Sequence, residues 1–516
     1  MNLSRRKLLL ETLFGAGLVG LRSLATGVPA AVLLNPRRAG AQACPSAAQS
    51  ILFSSSGNGD PVNANVPGMY QIPDIAHPTD PSMAATPLSL GGQSTLAAAP
   101  WAALPQAMLD RACFFHHGTY TVVHPDLAKV MTLQGFISHH EMLVSLISQQ
   151  LAACMGTVQK EPIALGPRSA SEALTTSGRP QPILSPSTLA SLLASPAGPL
   201  GQIQKVRDAD LDKLNAWYRQ NGNAAQRSFL DRYALSQQEA RNIPESLLGT
   251  LAGIKDNSPD SQVTAAVTLF RMNVSPVISI HIPFGGDNHV DALLANETKQ
   301  TVAGASTIGK LWAQLVSANL QDKVTFAMMN VFGRTLSAAR GNGNGRTHHG
   351  DHHCTVLIGK PFKGSIIGCV EPANNDYRAM SLDSASGPGV SGGSGDVPFS
   401  ETLSAAGKTL GAACGVDRGV LDANILGGKV VAGALEGPQR FAYLDGGGAD
   451  GACTTSARHS AQAQQGNLDL QSPGMPRRLA WPSLLLSENV CERTSPMTTA
   501  PKSKLSPERV ARPRTA

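Results

Sequence analysis

Six of the thirteen histidines in this chain fall within 73 consecutive residues, where they could bind a metal or carry protons. They include His289, in the turn Asp287-Asn288-His289, and the four histidines of the segment 347–353, which reads Thr-His-His-Gly-Asp-His-His. Imidazole and carboxylate groups bind Zn²⁺ and similar borderline metals, and the carboxylates also suit Mg²⁺ or Ca²⁺. Imidazole ionises near neutral pH, so these histidines could also act as acids or bases. The alternative for both groups is a polar loop exposed to solvent.

Two charged residues also follow predicted strands. Asp60 ends the glycine-rich turn after the hydrophobic run 51–53, and Arg334 comes soon after the hydrophobic run 324–329. A guanidinium group there could hold an anion with its planar fork of donors, and a salt bridge within the fold is an equal alternative. His281 lies inside a predicted strand, so we interpret it as a sheet residue and not as a ligand.

Hydrophobic runs and helical stripes alternate along the chain around these residues. The runs predict strands at 51–53, 112–115, 277–282, 324–329, 355–358 and 365–367. Helical spacing predicts helices around 308–315 and 400–415. Strand, helix, strand order is typical of a parallel sheet with helical crossovers. The predicted fold class is α/β, with a doubly wound, mostly parallel sheet and the site at the carboxyl ends of its strands.

The length of 516 residues suits one large α/β domain with extensions. With 42% hydrophobic and 15% charged residues, most of the chain is expected to fold. We predict an α/β domain over 44–436 with a helical insertion at about 202–256, in which an apolar stripe containing Leu214 and Trp217 packs against the domain. Apolar periodicity fades towards the end of the chain, which predicts a disordered tail over 437–516.

The net charge of +6 is concentrated at the two ends of the chain. Residues 1–43 and residues 473–516 each carry a net charge of +5, which leaves −4 for the rest. An enzyme that acts on nucleic acid is expected to carry its positive charge on the folded domain, where it contacts phosphates. The mildly acidic body therefore argues against a nucleic-acid partner.

The N-terminus has the form of an export signal. The pair Arg5-Arg6 precedes a modest apolar run, and the segment ends in Ala41-Gln42-Ala43. We predict a twin-arginine signal peptide over 1–43, which makes the twin-arginine translocase a partner during export and the destination periplasmic or extracellular. An accidental arginine pair is the alternative. We expect no membrane span in the mature chain, and all eight cysteines lie after the predicted cleavage point, where disulfides can form.

Four motifs together resemble a known family. They are Gly-Asn-Gly-Asp-Pro-Val-Asn at 57–63, Gly-Asp-Asn-His at 286–289, Phe-Gly-Arg-Thr at 332–335 and Asn-Gly-Arg-Thr-His at 344–348. With the arginine pair, they resemble the exported bacterial family called domain of unknown function 1501, which looks like a distant branch of the alkaline-phosphatase and sulfatase superfamily. The likeness runs in order from about residue 50 to residue 435. It implies an alkaline-phosphatase-like fold and metal ligands at four positions, namely Asp60, Asp287, His289 and His348.

The chain departs from the family pattern at two carboxylates. The family carries Glu where this chain has Val331, and Asp where this chain has Thr347. The loss of two negative charges weakens the expectation of two-metal phosphoryl or sulfuryl transfer, although Asp351 could replace one of them. His124 matches a histidine common in the family and is a further candidate. No residue near the first strand forms a recognisable nucleophile pattern.

The residues and the resemblance together predict an exported, metal-dependent hydrolase of a small anionic phosphate or sulfate ester. A divalent cation (zinc, calcium or magnesium) would be its cofactor, Arg334 would hold the anion, and His349 would transfer protons. The alternative is a non-catalytic periplasmic relative that binds a metal or a partner. A third interpretation, a histidine-rich metal scavenger, predicts several weakly held ions.

Overall fold

The structure is a computed structural model that describes residues 50–127, 244–337 and 345–437, together with shorter stretches between 130 and 231. The predicted signal peptide at 1–43 and all but the first residue of the predicted tail at 437–516 lie outside the described residues. Among the described residues, no helix combines the length and the hydrophobicity needed to cross a bilayer.

The described strands range from two to seven residues in length. In chain order they are β1 (Ser50–Ser56), β2 (Ala85–Leu90), β3 (Gln93–Ala98), β4 (Ala112–His117), β5 (Ile163–Ala164), β6 (Thr175–Thr176), β7 (Arg179–Pro180), β8 (Val277–Ile280), β9 (Val324–Asn330), β10 (Gly333–Arg334), β11 (His348–His349), β12 (His353–Ile358), β13 (Ser365–Ile367), β14 (Val370–Ala373), β15 (Asp376–Ala379), β16 (Ser381–Leu382) and β17 (Gly389–Val390).

The described helices range from single turns to a helix of 23 residues. In chain order they are α1 (Val62–Asn65), α2 (Ala99–Ala102), α3 (Gln106–Leu109), α4 (Leu143–Met155), α5 (Pro186–Ala194), α6 (Glu245–Ala252), α7 (Pro259–Arg271), α8 (Ala295–Ser317), α9 (Thr402–Ala413) and α10 (Arg418–Asn424).

The central sheet has seven strands in the order β13-β4-β12-β9-β1-β8-β5. Every neighbouring pair is parallel except the two that include β12, which runs antiparallel to both β4 and β9. The strands β4 and β9 are therefore parallel to each other. This arrangement confirms the predicted α/β class with a largely parallel sheet.

Continuous burial explains why these segments form strands of the sheet interior. All seven residues of β1 and all seven of β9 are buried, as expected for a parallel sheet covered on both faces. One face packs against α7 and α8, whose residues Leu269 and Ile308 belong to the same hydrophobic cluster as Phe326. The other face packs against α9, whose Leu410 lies in a second cluster with Phe53. Helices therefore cover both faces.

Strand direction brings five loop segments to one edge of the sheet. The strands β1, β4, β8 and β9 all end there, and β12 begins there because it runs the opposite way. The segments that follow the four strands, and the segment that precedes β12, carry Asp60, His124, Asp287, His289, Arg334, His348 and His349.

The predicted helical insertion is described only in part. Residues 213–221 are helical, and α6 follows further along the chain. Leu214 and Trp217 were expected to pack against the domain, and this expectation is wrong, because they are 39% and 56% exposed. The helix turns these two side chains towards solvent.

Candidate metal centre

Four side chains converge at this edge of the sheet. One ligand atom from each of His124, Asp287, His289 and His348 lies within 4.8 Å of all the others. The carboxylate of Asp287 is central, with Oδ1 at 3.3 Å from His289 Nε2 and Oδ2 at 3.9 Å from His124 Nε2. Three imidazole nitrogens and one carboxylate oxygen form a donor set that could hold a divalent cation.

Backbone hydrogen bonds orient two of the imidazole rings. His124 Nδ1 lies 2.8 Å from the carbonyl oxygen of Gly57, so Nδ1–H donates and Nε2 keeps its lone pair. His348 forms a hydrogen bond with the backbone of Val122. Because Nε2 of His348 faces His289, this hydrogen bond falls to Nδ1–H. A backbone carbonyl that accepts from the outer nitrogen of a metal-binding histidine fixes its tautomer and raises its basicity.

The rings of His289 and His348 face each other through their Nε2 atoms. Their Nε2 atoms are 2.8 Å apart, and the NH1 group of Arg334 also points at His289 Nε2, at 3.3 Å. With Nδ1 of His348 protonated, its Nε2 carries a lone pair, which can accept N–H from His289 Nε2 or bind a cation placed between the two rings. Burial, together with Arg334 and His124, lowers the pKa of His348, which favours the neutral ring that a metal ligand requires.

Phe332 forms an apolar wall behind the imidazole rings. The centroid of its ring lies 4.5 Å from that of His348 and 5.1 Å from that of His124. Gly59 allows this packing, because a Cβ at Gly59 would lie 2.0 Å from the Phe332 ring and its φ of +68° favours glycine. The sequence contained Phe332 as part of a motif but gave no sign of this role.

Arg334 is buried beside the cluster and hydrogen-bonds the loops that carry it. Its side chain is fully buried, and it donates from Nε to Gly59 O and from NH2 to Asn58 O and to Asp287 Oδ1. With the contact to His289, four of its five N–H donors face the protein. Burial lowers the pKa of Arg334, and the attraction of Asp287 opposes that effect. The geometry matches the alternative of a salt bridge within the fold, and one donor at most is left for an anion.

Asp60 is buried next to this network but is not one of the four clustered residues. Its charge stabilises the protonated Arg334. The turn after β1 instead contributes backbone carbonyls, with Gly57 accepting from His124 and the next two residues accepting from Arg334.

His349 points away from the cluster, because successive side chains of a strand lie on opposite faces. Its Nε2 bonds the carbonyl oxygen of Tyr377, and its Nδ1 lies 3.8 Å from Asp376 Oδ2. The spacing alone could not decide between His348 and His349, and it was the resemblance that implied His348 as the ligand. Asp351 is also not among the clustered residues.

The remaining histidines of the segment belong to a buried group across β4 and β12. His116 Nδ1 and His352 Nε2 are 2.8 Å apart, and His353 accepts a hydrogen bond from the backbone N–H of Asn330. Burial lowers the pKa of His116 to about 3 and that of His117 to about 4. It also holds the pKa values of His352 and His353 well below the usual range, so this group is neutral at pH 7.

The two positions that depart from the family pattern lie in different surroundings. Val331 is fully buried in the hydrophobic cluster that includes Phe53, so it faces the core. Thr347 is half-buried, and its backbone N–H donates to Thr335 Oγ1.

One cysteine among the described residues is oxidised. Cys154 forms a disulfide bond, whereas Cys113, Cys354, Cys369 and Cys414 are free thiols.

No protein-family model and no curated protein matches this chain. Among solved structures, the chain is similar to the PH0037 protein from Pyrococcus horikoshii, with 10% sequence identity and a TM-score of 0.23. The match covers 61% of this chain and 85% of that one. At this TM-score the likeness carries no argument about fold or function.

Proposed function

We propose that this protein is an exported, metal-dependent hydrolase of a small anionic ester, of the phosphate or sulfate type. The observation that carries the proposal is the convergence of His124, Asp287, His289 and His348 within 4.8 Å. The resemblance to the family called domain of unknown function 1501, and through it to the alkaline-phosphatase-like superfamily, supplies the reaction class. The arginine pair of the N-terminus supports twin-arginine export to the periplasm or beyond.

Zinc is the cation that fits the donor set best. Three imidazole nitrogens with one carboxylate are common ligands of zinc, whereas calcium and magnesium prefer sites built from oxygen atoms. When bound, a divalent cation supplies a Lewis acid for an anionic oxygen.

The charges around the cluster favour an anionic substrate once a cation is present. Asp60 and Asp287 contribute two negative charges and Arg334 one positive charge, which leaves one negative charge among these three residues. A divalent cation would reverse this balance to one positive charge. The side chain of Asp287 is 50% exposed and that of His289 is 36% exposed, so a small ester could approach from solvent. Arg334 holds Asp287 in place through NH2, and when the cation occupies His289 Nε2, the neighbouring NH1 group of Arg334 is left for the anion.

Elemental analysis of the exported protein, purified without chelator, tests the proposal. We expect one equivalent of zinc, its loss in His289→Ala, and turnover of p-nitrophenyl phosphate or p-nitrophenyl sulfate that disappears with the metal. A protein without metal, or turnover unchanged in His289→Ala, would contradict the proposal.

A second candidate function is metal or partner binding without catalysis. It is favoured by Val331, which faces the hydrophobic core where the family carries a carboxylate, and by the engagement of Arg334 with the protein. One tightly held equivalent of metal with no turnover of either ester would support this candidate over the hydrolase. Several weakly held ions would instead support the scavenger.

A further inference from the structure

Three of the four ligands of the candidate metal centre, Asp287, His289 and His348, come from two loops that are tied together behind the site. One loop carries Asp287 and His289 with Asn288 between them, and the other runs from Gly345 to His348. The backbone N–H of Arg346 donates to Asn288 O at 3.2 Å. A Cβ at Gly345 would lie 2.2 Å from that same oxygen, so the loops are in direct backbone contact.

A buried ion pair joins the same two loops through side chains. Arg346 donates from Nε to Glu297 Oε2 at 2.8 Å and from NH2 to Glu297 Oε1 at 3.1 Å. Asn288 Nδ2 donates to Glu297 Oε2 at 3.0 Å, and Asn65 Nδ2 donates to Oε1 at 2.8 Å. Glu297 is fully buried in the first turn of α8, and each of its carboxylate oxygens accepts two hydrogen bonds.

Arg346 also hydrogen-bonds backbone carbonyls besides its partner Glu297. Its NH1 donates to Thr335 O at 2.8 Å, and its NH2 donates to Ala76 O at 2.6 Å. The planar fork of a guanidinium reaches these acceptors together with both oxygens of Glu297, which the single ammonium of a lysine could not do. A shift of either ligand loop would therefore break hydrogen bonds of a buried charge.

We propose that Glu297 and Arg346 are positioning residues that set the spacing of Asp287 and His289 against His348, and thereby the affinity for the metal. The inference rests on the proposed metal site and deepens it. Neither residue touches the metal or the substrate. Asn288 connects the ion pair to the loop of Asp287 and His289. The backbone of Arg346 connects it to the loop of His348.

Titration of the metal-free protein with Zn²⁺, in competition with a chromophoric chelator, tests this inference. We expect Asn288→Ala to weaken zinc binding about 10-fold and Arg346→Lys to weaken it by about 10–100-fold. The control is Arg378→Lys, because Arg378 also donates twice to a glutamate, Glu371, and these two hydrogen bonds do not join the ligand loops. We expect that variant to bind zinc as the wild type does.

Thermal melting in excess chelator separates positioning from general stability. A purely structural ion pair would lower the melting temperature of the metal-free variants and leave the zinc affinity of the folded protein unchanged, which would overturn the inference. If Arg346→Lys does not fold, Asn288→Ala decides, since it keeps the ion pair. A wild type that binds no zinc contradicts the proposed function and this inference together, whereas tight wild-type binding with unchanged variants contradicts this inference alone.

Discussion

His289 and His348 lie 59 positions apart in the chain, yet their Nε2 atoms are 2.8 Å apart. One ring is carried by the loop after β8 and the other by the short strand β11. The outer nitrogen of His348 is held by the backbone of Val122, and the guanidinium of Arg334 lies beside the inner Nε2 of His289. Together with His124 and Asp287, this pair of imidazoles could hold a cation.

The two neighbouring histidines of β11 are expected to behave differently. His348→Ala removes a ligand, so we expect zinc affinity to fall by more than the roughly 10–100-fold that loss of an outer hydrogen bond costs. His349→Ala leaves the cluster intact, because that ring bonds Tyr377 on the opposite face. Calorimetric titration of each folded variant with Zn²⁺ checks the difference. Equal losses in the two variants would contradict the assignment of faces.

Gly59→Ala is expected to destabilise the protein because Phe332, the apolar wall of the site, leaves no space for a side chain at this position. The new methyl group would meet the Phe332 ring, and such overpacking costs about 1–3 kcal/mol in addition to the strain of a positive φ. Gly92→Ala is the matched control, because Gly92 has a φ of +82° and no atom within 4 Å of its added Cβ. Urea denaturation of both variants measures the difference. If they lose equal stability, packing against Phe332 is not the cause.

Arg334→Lys is expected to cost about 1–3 kcal/mol in the free energy of unfolding. The single ammonium cannot replace the planar fork, so a buried carbonyl of Asn58 or Gly59 loses its donor. Arg111→Lys provides the comparison, since Arg111 pairs with the half-exposed Asp322 and such pairs contribute about 1 kcal/mol or less. Equilibrium unfolding in urea compares the two, and a smaller loss at Arg334 than at Arg111 would count against its positioning role.

Stability is expected to fall in weak acid because of the buried histidines. Above pH 6.5 the group is neutral in both the folded and the unfolded chain, so its contribution is complete. Below pH 6.5 the unfolded chain takes up protons, while His117 and His116 in the folded chain resist protonation down to about pH 4 and about pH 3. Each such histidine lowers the free energy of unfolding by up to about 1.4 kcal/mol per pH unit in this window.

Urea denaturation at several pH values between 7 and 4 measures this slope. His117→Gln removes one of the four groups, so we expect the slope to decrease by roughly a quarter if all four act alike. A free energy of unfolding that does not change over this range would show that the histidines are not buried in solution.

The fold was more predictable from the sequence than the site. The runs at 51–53 and 324–329 predicted strands correctly, because strands buried on both faces are continuously hydrophobic. The chemistry of Asp287 and His289 was visible in their residue types and in their place after a strand. The role of Arg334 was not, because its partners are mostly backbone carbonyls, which carry no mark in the sequence.

Pairings between distant residues could not be predicted from the sequence either. Glu297 appears as one more acidic residue at the start of a helix, and nothing local links it to Arg346, 49 positions later. The choice of His348 over His349 depends on which face of β11 meets the cluster, and this is decided by the pairing of that strand with Gly333 and Arg334. The resemblance implied His348, but the residues themselves do not show which face of the strand meets the cluster.

The reversed direction of β12 has a practical consequence for experiments. This strand begins at the end of the sheet that bears the histidine cluster and finishes at the opposite end. There the backbone N–H of Gly359 donates to the carbonyl oxygen of Arg111, just before β4 begins. The exposed side chain of Lys360 follows immediately. A fluorophore or a surface tether attached at Lys360 would therefore leave the mouth of the cluster open, and would provide a handle for immobilised metal-exchange or turnover measurements.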